Sequence, residues 1–140
     1  MRDPHQLAVE LAAEAPDPAW LRALTDDLDR QLRRSPLERL QRLWGLSAAE
    51  AASLFGVSRQ AYSKWLRGGV PSERAAALAD LSVATELLDR YLKRERIPAV
   101  VRRPAALLGN RSLIELARSG DHAAVRQAVA DMFELRRVQP

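Results

Sequence analysis

Cysteine is absent from the 140 residues, which excludes disulfide staples, thiolate nucleophiles and cysteine-held metals. The two histidines, His5 and His122, are isolated from one another, so the sequence assembles no metal-spaced cluster, and no glycine-rich phosphate loop follows a strand pattern. Catalytic residues, metal ligands and cofactors are therefore all expected to be none, and the chain reads as a binding protein rather than an enzyme. No apolar run approaches the roughly 20 residues that span a bilayer, and the N-terminus lacks the apolar core of a signal peptide. The expectation is a cytoplasmic protein with no membrane partner.

Aromatic residues make up only 5%, against 47% hydrophobic residues overall. Ala and Leu dominate, which favours helix over sheet and predicts an all-α fold. Charge is unevenly spread. Residues 1–29 carry seven acids against two Arg, residues 30–111 carry sixteen Arg or Lys against seven acids, and residues 112–140 balance at four and four. A basic middle attracts polyphosphate and releases its counterions, giving affinity without sequence preference.

The most informative stretch is residues 47–67, SAAEAASLFGVSRQAYSKWLR. Ser47 followed by Glu50 makes a capping box, and the helix it opens is expected to end near Phe55. Gly56 supplies a left-handed turn, and Ser58 caps a second helix from Arg59. At about 100° per residue, Arg59, Gln60, Ser63, Lys64 and Arg67 fall on one arc, with Ala61, Tyr62, Trp65 and Leu66 opposite. This is a helix-turn-helix layout, whose second helix enters the DNA major groove. Ser58, Arg59, Gln60, Ser63, Lys64 and Arg67 are the candidate DNA-binding residues. The sequence here resembles the Xre-type helix-turn-helix regulators through Ala52, Gly56, Val57, Ser58, Ser63, Lys64 and Trp65. Tyr62 departs from the Val or Ile usual at its position.

The rest of the chain reads as further helices. Residues 5–15 form a short one stopped by Pro16. Asp17 and Pro18 open an amphipathic helix whose stripe is Trp20, Leu21, Leu24, Leu28 and Leu32, with Asp26, Asp27 and Asp29 on its solvated side. Ser35, Pro36 and Glu38 signal a separate start, leading into a helix with Leu37, Leu40, Leu43 and Trp44 inward, ended by Gly45. Arg39 and Arg42 lie on its other side, open equally to phosphate or to solvent. After Gly68 and Gly69, Val70 and Pro71 begin a long helix to about Arg96, with Leu78, Leu81, Thr85, Leu88 and Leu92 as its stripe and Ala76, Ala79, Val83 and Leu87 widening it. Part of that stripe suits a homodimer seam. Breaks are expected at Pro98, Pro104, Gly109 and Asn110. Two last helices follow, 112–118 and 121–136, with Val125, Val129, Met132 and Phe133 on the apolar side and His122 a first-turn surface residue.

The order of these last pieces resembles the C-terminal region of the Xre/MbcA/ParS toxin-binding antitoxin family, through Pro104, Leu107, Leu108, Gly109, Arg111, Leu113, Leu116, Gly120, Val125 and Val129. Ser112 stands where that family often has Pro. The resemblance covers residues 43–135 and implies an antitoxin of a toxin–antitoxin system. Such a protein binds operator DNA as an autoregulating repressor and neutralises a RES-domain toxin that consumes NAD. On that reading the domains are an N-terminal helical segment (1–34), the helix-turn-helix (35–70), a connecting helix (71–96) and a toxin-binding domain (97–140). The candidate toxin-binding residues are Arg111, Phe133, Glu134, Arg136, Arg137 and Pro140. The alternative is a stand-alone dimeric helix-turn-helix regulator without a toxin.

Overall fold

The computed structural model describes residues 18–138, apart from the side chains of 27, 29–35 and 135–138. The helix expected over 5–15, His5 and Pro140 lie outside these residues. The described residues form an all-α fold of seven α-helices: α1 (Pro18–Trp44), α2 (Ala48–Leu54), α3 (Arg59–Gly68), α4 (Ala75–Tyr91), α5 (Ile97–Arg102), α6 (Leu113–Arg118) and α7 (His122–Val138). Short 3₁₀ turns at Ser72–Arg74, Arg94–Arg96 and Ala106–Leu108 link them. None of the described helices is long and apolar enough to cross a membrane.

One hydrophobic core unites them. Leu37, Leu40 and Trp44 of α1, Leu54 of α2, Tyr62 of α3, Leu81 and Leu88 of α4, Ile97 and Val101 of α5, Leu113 of α6, and Val125 and Val129 of α7 are all buried in it. The core thus runs straight through the boundary expected near residue 97. At its centre the Trp44 indole N–H donates to Thr85 Oγ1 (3.1 Å), and that hydroxyl donates to the Leu81 carbonyl (2.7 Å). Both buried polar groups are thereby satisfied.

Three boundaries differ from the sequence expectation. The start read at Ser35 and Pro36 is overridden, because α1 continues through Pro36. Proline's fixed φ is itself helical, so the helix can continue at the cost of one backbone bond and of crowding between the ring and the carbonyl four residues earlier, and strong helix formers lie on both sides. The long helix expected to reach Arg96 ends at Tyr91, with Leu92 extended. Pro98 then opens α5 rather than breaking a helix. Near a helix start its missing N–H has no intrahelical partner to lose. On α4, Leu78, Leu81, Ala84, Thr85 and Leu88 are buried, whereas Ala76 and Ala79 are exposed and Val83 and Leu87 half-buried.

Gly45 closes α1 in a Schellman motif, with Leu46 N–H donating to Gln41 O (3.0 Å) and Gly45 N–H to Arg42 O (3.2 Å). It has φ +66°, and a Cβ there would stand 3.1 Å from the Pro98 ring. Gly56 has the same φ with open space around it. Gly56→Ala is expected to cost the left-handed penalty alone, about 1–2 kcal/mol. Gly45→Ala should cost measurably more, because Pro98 must also move. Urea unfolding midpoints of the two variants check the order, and equal losses would contradict the contact.

Candidate nucleic-acid interface

The geometry of residues 47–68 follows from short-range bonds. Ser47 N–H donates to Glu50 Oε1 and Glu50 N–H donates to Ser47 Oγ, both at 3.1 Å, so the capping box closes. At the other end of α2 a second Schellman motif forms, from Val57 N–H to Ala52 O (3.2 Å) and Gly56 N–H to Ser53 O (3.1 Å). Gly56 takes the left-handed turn this exit demands. Ser58 then caps α3 by accepting from Ala61 N–H (3.1 Å), so one of its lone pairs is committed to the helix start.

Packing fixes which side of α3 faces out. Trp65 is buried and meets Phe55 edge to face, with ring centroids 5.5 Å apart. Tyr62 is fully buried, and its hydroxyl donates to Gln41 Oε1 of α1 (2.5 Å). The departure from Val or Ile therefore adds a polar tie to α1 that an aliphatic residue cannot make. Burial, helped by the nearby charge of Glu38, pushes this phenol up to about 12, so it stays a neutral donor. Arg59, Gln60, Lys64 and Arg67 are exposed and Ser63 is half-buried, all on the opposite arc.

Long-range contacts clamp the scaffold beneath. Arg102 of α5 donates to Glu50 (2.8 and 3.3 Å) and to the Gly45 carbonyl (3.0 Å). Hydrogen bonds from Arg102 and from the Ser47 N–H lower the Glu50 carboxyl from 4.5 to about 2. The free carbonyls at the α2 terminus are also met. Arg74 Nη1 donates to Phe55 O (3.0 Å) and His122 Nε2 donates to Leu54 O (2.6 Å). A carbonyl can only accept, so Nε2 carries the proton. The His122 ring stacks on Phe55 with centroids 6.0 Å apart. The surface position expected for His122 is thus corrected: it ties the start of α7 to the end of α2. Arg118 of α6 adds a bond to Ser53 Oγ (2.9 Å).

These ties sort the basic residues. Arg39, open to either role from sequence, pairs with Glu86 and Asp89 of α4 (2.6 Å each), and Arg94 pairs with the same Asp89 (2.9 Å). Arg74, Arg102 and Arg118 are occupied as described. Arg59, Lys64 and Arg67 make no such ion pair among the described residues, so the cations left facing solvent include those of α3. The candidate DNA-binding residues come together on one surface, whereas the candidate toxin-binding residues do not. Phe133 is buried and stacks on Tyr91 (4.7 Å between centroids), so its ring is core and not an exposed anchor. Arg111 is exposed, in an isolated bridge with Ala105, and Glu134 is exposed. The side chains of Arg136 and Arg137, and all of Pro140, lie outside the described residues.

No protein-family model matches the sequence, and no curated protein matches it. Among solved structures, the fold is similar to a chain of the M. tuberculosis MbcT-MbcA toxin–antitoxin complex, at a TM-score of 0.58 and 23% identity, with 72% of this chain and 93% of that chain covered.

The lowered Glu50 carboxyl makes the clamp pH-sensitive. Its folded value lies below the ordinary one, so its stabilising share is complete above about 4.5 and is lost as pH falls toward about 2. The partners are partly exposed, at 44% for Arg102 and 31% for Glu50, so solvent screening keeps the effect modest. Thermal unfolding of Glu50→Gln should show a shallower loss of Tm across that window than the native chain. Parallel curves would remove the Arg102 pair as its cause.

Proposed function

We propose that this chain is the antitoxin of a toxin–antitoxin pair, binding operator DNA through α2 and α3 as a dimer and neutralising a RES-domain toxin that consumes NAD. The observation that carries the reading is the fold it shares with a chain of a toxin–antitoxin complex over 93% of that chain. The basic arc of α3, whose cations have no ion pair among the described residues, supports the DNA-binding half. On this reading α3 is the recognition helix. Arg59 or Arg67 can pair a guanine edge in two bonds, Gln60 an adenine edge, and Lys64 suits a phosphate. One short helix touches few base pairs, so two copies on symmetric half-sites supply the affinity that one cannot.

For the toxin, Arg111, Glu134 and the tail of α7 remain the candidate contacts. Phe133 contributes by holding α7 against Tyr91 of α4. An NAD-binding enzyme needs cationic or N–H-rich walls for the pyrophosphate, and an inhibitor can cover that entrance or pair with it. Removing everything after Arg96 would strip Ile97, Val101, Leu113, Val125 and Val129 from the shared core, so surface substitutions are the informative test.

Two outcomes are expected. In a mobility-shift titration on the DNA upstream of its own gene, Gln60→Ala should relax preference at one base pair by about 1–3 kcal/mol, and Lys64→Ala should weaken all sequences alike. Unchanged binding in both would end the α3 assignment. Co-expressed with the product of the adjacent reading frame, the chain should co-purify with it and restore growth, and Arg111→Glu with Glu134→Arg should reduce the rescue without loss of helicity. Operator binding with no co-purifying toxin would instead favour the stand-alone regulator.

A further inference from the structure

The short helix α5 has two distinct faces. Ile97 and Val101, one turn apart, are fully buried in the core. Arg96, Val100 and Arg103 follow the same periodicity about 100° further round the axis, and they border an open cleft between α5, α6 and α7. Its volume is about 460 Å³, and Val100, Leu108, Leu113 and Met132 make its apolar walls. That size falls among small-molecule sites, which run to roughly 300–1,000 Å³.

Local bonds shape the cleft in advance of any ligand. The Ala105 carbonyl accepts from Leu108 N–H (3.0 Å) and Asn110 N–H (2.9 Å), and Ala105 N–H donates to Arg111 O (3.1 Å). The turn over 105–111 is thereby closed on itself, with Leu108 set at the cleft wall, so little loop ordering remains to be lost on binding. The rim is cationic. Arg96 and Arg103 line the cleft, and no acidic residue does. They are seven residues apart, hence on one face of α5 and about 10 Å from each other along its axis. Their neighbours Arg94 and Arg102 are held by Asp89 and Glu50 (2.9 and 2.8 Å). Arg96 and Arg103 are exposed, and among the described residues neither side chain has an ion pair or a hydrogen bond.

We propose that this cleft binds a small apolar carboxylate of about medium-chain fatty-acid size. Its hydrocarbon lies on Val100, Leu108, Leu113 and Met132, and its carboxylate meets the arginine rim. A guanidinium offers two parallel N–H donors that match a carboxylate, a pairing about twice as strong as a neutral hydrogen bond. A neutral ligand would leave that capacity unused, and a cationic one would be repelled. A protein segment fits less well, because Lys93, Glu95, Arg102 and Arg111 beside these residues in the chain are exposed and charged, whereas the centre of a protein interface is depleted of charge. The inference stands apart from the antitoxin reading, since it needs no toxin and no DNA.

Titrating the full chain with octanoate, followed by calorimetry and methyl NMR, tests it. One octanoate per chain should bind with a Kd on the order of 0.1–1 mM, shifting the methyls of Val100, Leu108, Leu113 and Met132. Decanoate should bind roughly five- to fifteenfold more tightly, through its two added methylenes. 1-Octanol, equal in length but uncharged, should bind at least about fivefold more weakly than octanoate. The double variant Arg96→Gln with Arg103→Gln should lose that preference by weakening octanoate and leaving octanol unchanged, with circular dichroism checking its helix content. The octanol comparison uses the native chain, so the test holds even for a variant that fails to fold. Shifts confined to residues away from the cleft, octanol bound as tightly as octanoate, or a folded double variant that still prefers octanoate would overturn the proposal. A native chain that binds no carboxylate, with a double variant that no longer co-purifies with a protein partner, would overturn it too and assign the cleft to that partner.

Discussion

Everything in this fold depends on the packing of α7 along α4. Leu81, Ala84 and Leu88 of α4 and Val125, Val129 and Phe133 of α7 are buried in the common core, and Phe133 closes the far end on Tyr91. Each of the Leu, Val and Phe side chains among them contributes about 1.5–3 kcal/mol on burial, which exceeds the surface ion pairs around them. α1 meets the same helix through Trp44 and Thr85. The two-helix unit of α2 and α3 has no comparable core of its own and is stabilised by leaning on α1, α5, α6 and α7.

The arginines illustrate a division of labour. A partly exposed pair such as Arg102 with Glu50 is worth at most about 1 kcal/mol, so its main effect is geometric. It anchors the capping box of α2 to α5, while Arg74, Arg118 and His122 hold the other end of the same helix. α3 is thus presented on a support fixed at both ends, and Tyr62 adds a tie to α1. A surface that must meet a partner in one register benefits from such rigidity, because little ordering entropy remains to be lost on binding. Among the described residues, the cations of α3 take no part in these ties.

Much of the architecture was legible from residues close in sequence. Ser47 with Glu50, Gly56, Ser58 and Gly45 act as the caps and turns their chemistry demands, and the helix periods of α3, α4 and α7 mark the faces that are buried. A local signal misleads where it competes with context. Ser35 and Pro36 have the composition of a helix start, yet proline is also tolerated inside a helix whose neighbours favour it. Pro98 looks like a breaker and acts as an opener. Phe133 at a chain end looks available, but no local rule shows that Tyr91 is waiting for it.

The sequence by itself determined the bonds that close within about five residues, because capping boxes, Schellman turns and amphipathic stripes need only neighbours at fixed offsets. Only the tertiary structure decided the roles of Arg39, Arg102 and His122, whose partners lie 47, 52 and 68 residues away. An arginine or histidine with that reach has no preferred partner in the linear chain. It acquires one when apolar burial has already brought α1 to α4, α5 to the start of α2, and α7 to its end, since the core sets those distances and the polar groups bond to what they then find within about 3 Å.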